Sequence, residues 1–281
     1  MFTLIAIVLN AGLQTACGTT VRYISARSQN LVAAATINFF ASAFVSFLYL
    51  LAMDWPASWL PVLATGAFTG LFYALSYLTV LWTMKSRGMA IVLAFVNLSL
   101  FIPVVVGIGF GERPGLLQIT GMAVTLMAVP MLSLASVSGE GLSGRPSWKL
   151  IVALFVLQGF AMSGNLIADR VLPEVSVPAY LTWLFLVAGC ICLPACWRVK
   201  GQGRAKVVGP GMLQGLLGAS STLSIMLALN VVSATIFYCG ISLVGLFFNV
   251  TVAALIWKER LALRGWIGIG LAAVAVVLMN L

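Results

Sequence analysis

Long apolar runs fill this chain, separated by short punctuation of charged and turn-forming residues rather than by soluble segments. The punctuation sets off ten runs, at about 2–22, 31–52, 58–82, 88–110, 115–135, 149–169, 177–197, 208–229, 233–256 and 262–280. Each is close to the ~17–25 apolar residues that carry a helix across about 30 Å of hydrocarbon. The pattern predicts an all-α integral membrane protein with ten transmembrane helices. The first run lacks a positive n-region and an A-x-A-like site, so it reads as a retained span and not as a signal peptide.

One connector stands apart. Residues 136–148, "SVSGEGLSGRPSW", are rich in Ser and Gly with a Pro, and they divide the chain into two five-helix halves, 1–135 and 149–281. The halves repeat one phrase. "FGERPGLLQITGMAVTLMAVPML" at 110–132 and "WKERLALRGWIGIGLAAVAVVLM" at 257–279 align without gaps at an offset of 147, pairing Glu112 with Glu259 and Gly121 with Gly268. The same offset lays Ser86 over Ser233, Phe101 over Phe248 and Gly12 over Gly159. Between Glu112 and Glu259 the predicted chain crosses five times, an odd number, so the two copies fall on opposite faces. That is the signature of an inverted-topology repeat, an arrangement common in secondary transporters.

Composition agrees with a membrane location: 62% of residues are hydrophobic, 7% are charged, and the mean hydropathy is +1.12. Soluble domains run near a quarter charged. The net charge of +9 does not indicate nucleic acid, because the charges sit singly or in pairs at span ends. Connectors after spans 1, 3, 5, 7 and 9 hold 13 of the 15 Lys and Arg, leaving Arg113 and Arg170 opposite. The positive-inside rule then places those connectors in the cytoplasm and both termini outside.

Ten spans in two halves, with "GER-PGLLQITGMAVTLMAV" and "KER-LALRGWIGIGLAAVAVV" before and within the fifth and tenth, resemble the drug/metabolite transporter superfamily, EamA type. The resemblance covers essentially the whole chain. It implies two inverted five-helix repeats working by alternating access, with spans 5 and 10 away from the substrate cavity. Its members carry amino acids, nucleotide sugars, phosphorylated metabolites, choline and drugs, so the substrate stays open. This chain departs from the family in orientation, since members commonly keep both termini in the cytoplasm.

Polar side chains in hydrocarbon are costly, so those inside spans are expected to face inward. Spans 5 and 10 carry few of them and many glycines. Thr69, Tyr73 and Tyr77 recur every four residues on one face of span 3, and Tyr238, Ser242 and Asn249 share a face of span 9. Asn10 pairs with Gln14 in span 1, Gln158 with Asn165 in span 6, and Asn97 lies mid-span with Phe101 one turn on. The cavity-lining set expected from this distribution is Asn10, Gln14, Tyr73, Tyr77, Asn97, Phe101, Gln158, Asn165, Tyr238 and Ser242. Thr and Ser in such faces also bond neighbouring helices or their own backbone. Pro103 frees a carbonyl and kinks span 4.

Several chemistries lack their residues. There is no His, and Cys17, Cys190, Cys192, Cys196 and Cys239 match no zinc spacing, so no metal or other cofactor is expected. "GFGERPG" lacks the Lys-Ser/Thr of a phosphate loop. No catalytic constellation is visible, so an enzyme is not expected. Asp54, Glu112, Glu140, Asp169, Glu174 and Glu259 all fall at span edges or in connectors, which argues against a proton-for-cation drug exporter. A small neutral or zwitterionic metabolite fits best, with an amino-acid exporter or facilitator as the leading reading. The alternatives are a drug exporter or uptake of a quaternary ammonium such as choline, caged by Trp82, Tyr73, Tyr77, Phe95, Phe101, Phe237 and Tyr238. Expected partners are the small solute and the lipid bilayer, with a homodimer through the peripheral helices. The expected location is the bacterial inner membrane.

Overall fold

The computed structural model describes residues 2–27, 30–53, 55–111, 137–138, 148–173, 176–198, 204–232 and 234–280, together with parts of 115–127. Asp54, Glu112, Arg113, Glu140, Glu174 and most of the linker 136–148 lie outside the described residues. The helices are α1 (Phe2–Arg27), α2 (Leu31–Leu51), α3 (Trp59–Leu98), α4 (Phe101–Gly109), α5 (Trp148–Val171), α6 (Val177–Arg198), α7 (Arg204–Leu229), α8 (Ala234–Leu255) and α9 (Leu263–Asn280). The described residues among 116–127 are also helical. The only other pairing among the described residues is a two-residue antiparallel contact of β1 (Val137–Ser138) with β2 (Arg260–Leu261).

Among the described residues, five helical stretches are long and apolar enough to cross a membrane: Leu31–Leu51, Trp59–Gly109, Trp148–Val171, Val177–Pro194 and Val207–Leu229. This is an all-α membrane protein. The second stretch has 51 residues, more than twice the ~20 that one crossing needs. It is broken in two places for different reasons. Gly88 has φ 77° and ψ 175°, outside helical space, and divides α3 into a first arm from Trp59 and a second arm from Met89. Only glycine adopts that conformation without a steric penalty.

The other break, at Ser99–Leu100, comes from Pro103. A proline ring clashes with the carbonyl four residues back and brings no N–H to bond it. That carbonyl belongs to Ser99, and it accepts a shorter-range bond from Ile102 N–H at 3.0 Å instead. α3 therefore ends at Leu98, just beyond Asn97, and α4 starts afresh at Phe101.

The two halves of the sequence are interleaved. α2 packs on α6 and α7, α3 on α5 and α6, and α1 on α7 and α8. Small residues bring these backbones together: a Cβ built on Gly215 of α7 would stand 2.6 Å from the Asn38 carbonyl oxygen of α2. Trp183 of α6 ties the same layer to α3, its indole N–H donating to the Leu63 carbonyl at 3.1 Å. α9 lies at the edge, mainly against α8, with Leu263, Trp266, Ile267, Val274 and Val277 exposed. Exposed apolar side chains on such a helix are what a lipid-facing surface requires.

Candidate functional site

Where α1, both arms of α3, α5, α7 and α8 meet, they line a partly open cavity of ≈ 160 Å³. Helical periodicity selects its wall. α1 contributes Gln14, Gly18 and Val21, and the first arm of α3 contributes Tyr73, Tyr77, Val80 and Met84, each series on one stripe. Asn97 comes from the end of the second arm, Gln158 and Met162 from α5, and Asn249 from α8. α7 lines the remaining side with Gln214, Gly218, Ser221, Thr222 and Ile225. Among the described residues, none of the lining side chains is charged.

Five of the ten expected residues therefore lie on the wall: Gln14, Tyr73, Tyr77, Asn97 and Gln158. Four of the others are buried behind it and fix those that line it. Asn10 donates from Nδ2 to the Ser221 carbonyl at 2.9 Å and accepts from Gln14 Nε2 at 2.8 Å, which orients the Gln14 amide. Asn165 donates from Nδ2 to Tyr73 Oη at 3.0 Å while its Oδ1 accepts from the Tyr180 hydroxyl at 2.9 Å. Ser242 donates to the Asn97 carbonyl at 3.1 Å and so pins the frayed end of α3. Tyr238 is fully buried, its hydroxyl 3.5 Å from the Met162 carbonyl. Phe101 is half-buried at the start of α4 and is not on the wall. On the wall itself, Gln158 accepts through Oε1 from the Ser76 hydroxyl.

The sequence reading missed Cys17, Gln214, Ser221 and Thr222, and placed Asn249 on the right face without selecting it. For Gln214 the signal was present, since it is an amide within an otherwise apolar turn of span 8. The aromatic set named for a quaternary ammonium does not assemble. Only Tyr73 and Tyr77 line the cavity, Trp82 is 46% exposed, and Phe95 and Phe237 are sealed in the core. Tyr77 also packs edge-on against Phe39 at 5.3 Å and Tyr73 against Phe185 at 6.0 Å, so both rings are engaged with neighbours.

An ion pair lies beside the cavity, next to the lining residues Val21 and Met84. Arg22 lies one residue past Val21, and its Nε is 3.1 Å from Glu259 Oε1, with both side chains fully buried. The guanidinium also donates to the Met84 carbonyl at 3.2 Å and sits 5.3 Å from the centre of the Trp257 ring. Glu259 accepts backbone N–H bonds from Met89 at 2.7 Å and Ala90 at 3.0 Å. It thus caps the second arm of α3, where the helix dipole favours an anion. Gly88 makes room for it: a Cβ there would fall 2.7 Å from Glu259 Oε1.

The sequence placed Glu259 in an edge connector. It does follow α8, but the connector folds back through Lys258, at φ 49°, and Glu259 N–H bonds the Ala253 carbonyl at 3.1 Å, which turns the carboxylate inward.

No family model and no curated protein matches this chain. Its fold does match solved structures. One of them, described as "Crystal structure of protein", superposes with a TM-score of 0.60 over 99% of this chain and 96% of its own, at 15% sequence identity. At that identity the likeness concerns the fold alone: the full-length helical architecture is one that another protein also adopts.

Proposed function

We propose that this protein is a transporter of a small neutral or zwitterionic metabolite, with amino acids the first class to test. It would work by alternating access between two inverted five-helix repeats that cross the membrane ten times in all. The observation that carries the reading is the cavity itself. It lies where α1 and α3 of one half meet α5, α7 and α8 of the other, and a buried ion pair beside it joins the two halves. A binding site between repeats, flanked by contacts that can be exchanged, is the arrangement alternating access needs.

The repeat has further support in the helix boundaries. Shifting α2 by 147 residues gives 178–198, and α6 spans Val177–Arg198. Shifting the start of the second arm of α3, Met89, gives 236, and α8 begins at Ala234. The resemblance to EamA-type drug/metabolite transporters fits the same plan, with α9 at the edge as that family would have it.

The test is counterflow in proteoliposomes, with labelled amino acids, choline and other small metabolites in parallel, with and without a pH gradient. Exchange of a neutral or zwitterionic solute, indifferent to the gradient, is the expected result. Exchange of choline alone would transfer the role to the two lining tyrosines. Absence of exchange across the whole set would reject transport of this class.

A further inference from the structure

Most buried polar side-chain groups among the described residues are paired; of those that are not, four are on the cavity wall. Tyr77 Oη, Asn97 Nδ2, Gln214 Oε1 and Asn249 Oδ1 have no hydrogen-bond partner, and all four residues line the same cavity. Asn97, Gln214 and Asn249 are 4%, 5% and 3% exposed. Neighbouring amides show that the fold can satisfy such groups, since Asn10 and Asn165 use both ends of theirs. Burying a polar atom without a partner is unfavourable, and a fold that leaves several on one wall has left them for something else to meet.

The chemistry of that missing partner can be read from the set. Gln214 Oε1 and Asn249 Oδ1 only accept, Asn97 Nδ2 only donates, and the Tyr77 hydroxyl does either. Turning Gln214 or Asn249 end for end leaves amide donors and acceptors together; turning Asn97 leaves three acceptors with the Tyr77 hydroxyl as donor, and the wall is neutral in every case. Among the described residues no charged side chain lines the cavity, and Arg22, next to the lining residue Val21, is committed to Glu259 and to the Met84 carbonyl. A carboxylate or ammonium entering here would shed its hydration without meeting a counter-charge. The ≈ 160 Å³ of space is below the ~300–1,000 Å³ common for small-molecule pockets.

We infer that the cavity is a binding site for a compact, uncharged solute carrying both hydrogen-bond donors and acceptors, of the carboxamide, ureide or nucleobase kind. Tyr77, Asn97, Gln214 and Asn249 are its polar contacts. This rests on the transport reading and narrows it to its uncharged half: a free amino acid, with two formal charges, is disfavoured.

The test uses purified full-length protein in nanodiscs, with thermal stabilisation as the binding readout. The probes are nicotinamide, uracil and allantoin as uncharged donors and acceptors, alanine and serine as zwitterions, and choline as a cation. Stabilisation by at least one uncharged probe, and by neither the zwitterions nor choline, is expected. Asn249→Leu and Gln214→Leu should each weaken that binding by about tenfold, one hydrogen bond's worth. Stabilisation by alanine, serine or choline, or by no uncharged probe, overturns the inference on the wild-type protein alone. Counterflow of the same probes separates the two levels. An uncharged solute that binds without being exchanged removes the transport reading and leaves the site. Exchange of a zwitterion keeps transport and removes the site chemistry proposed here.

Discussion

Glu259 and Arg22, 237 positions apart in sequence, meet at 3.1 Å in a fully buried pair. The contact is asymmetric. Arg22 is held by a carboxylate and the Met84 carbonyl, among other contacts, whereas Glu259 answers a cation and two backbone N–H groups at the start of a helix arm. Breaking a buried pair from one side leaves a charge in low dielectric, typically at about 3–5 kcal/mol. Arg22→Met and Glu259→Gln are each expected to lower the thermal midpoint of the purified protein. The double substitution should recover part of that loss, because no charge is then left alone. Exchanging the two residues, Arg22→Glu with Glu259→Arg, should not recover it, since an arginine cannot accept from Met89 and Ala90. A charge-swapped protein as stable as the original would refute the capping role.

The same pair adjoins the cavity at Val21 and Met84, and a second expectation is that it seals that end. A cysteine at Val21 or Met84, on the wall just above the pair, should resist a hydrophilic thiol reagent in the otherwise native protein. Adding Glu259→Gln should raise its labelling rate from that side by at least about tenfold, a shift of roughly 1.4 kcal/mol in the opening equilibrium. Labelling that does not change would mean the seal lies elsewhere. The measurement is made with Cys17 replaced, because that thiol also lines the cavity.

Gly88 should tolerate no side chain. At φ 77° an L-alanine is strained, and its Cβ would press on the Glu259 carboxylate at 2.7 Å. Gly88→Ala is expected to destabilise by about 1–3 kcal/mol, read as a fall in the thermal midpoint. Gly12, where a Cβ would meet nothing within 4 Å, is the control, and Gly12→Ala should be close to neutral.

How much of this was visible in the sequence depended on whether the cause was local. Apolar run lengths placed the helices, and Pro103 announced a break that falls four residues before it, at the carbonyl its ring displaces. The stripe Tyr73–Tyr77 was legible because helical spacing alone puts both on one face. The role of Glu259 was not. It counts only because the chain reverses at Lys258 and aims its carboxylate at Gly88. A charge in a short connector and a charge at the heart of a helix junction look identical until the packing is known.

Tyr73 and Tyr77 lie one turn apart on the same wall, yet they should respond in opposite ways to losing a hydroxyl. Tyr73 Oη accepts from Asn165 Nδ2 at 3.0 Å, and Asn165 in turn holds the Tyr180 hydroxyl. Tyr73→Phe strands that amide, so a loss of about 1–3 kcal/mol in stability is expected. Tyr77 Oη has no partner to lose. Removing it discards a desolvated group, so Tyr77→Phe should leave the ligand-free midpoint unchanged or raised. Its defect should appear only with solute present, as weaker stabilisation and slower counterflow. Thermal scans of both variants, with and without a bound solute, separate the cases. A Tyr77→Phe protein that is as destabilised as Tyr73→Phe, with unimpaired binding, would show that this hydroxyl serves the fold and not the solute.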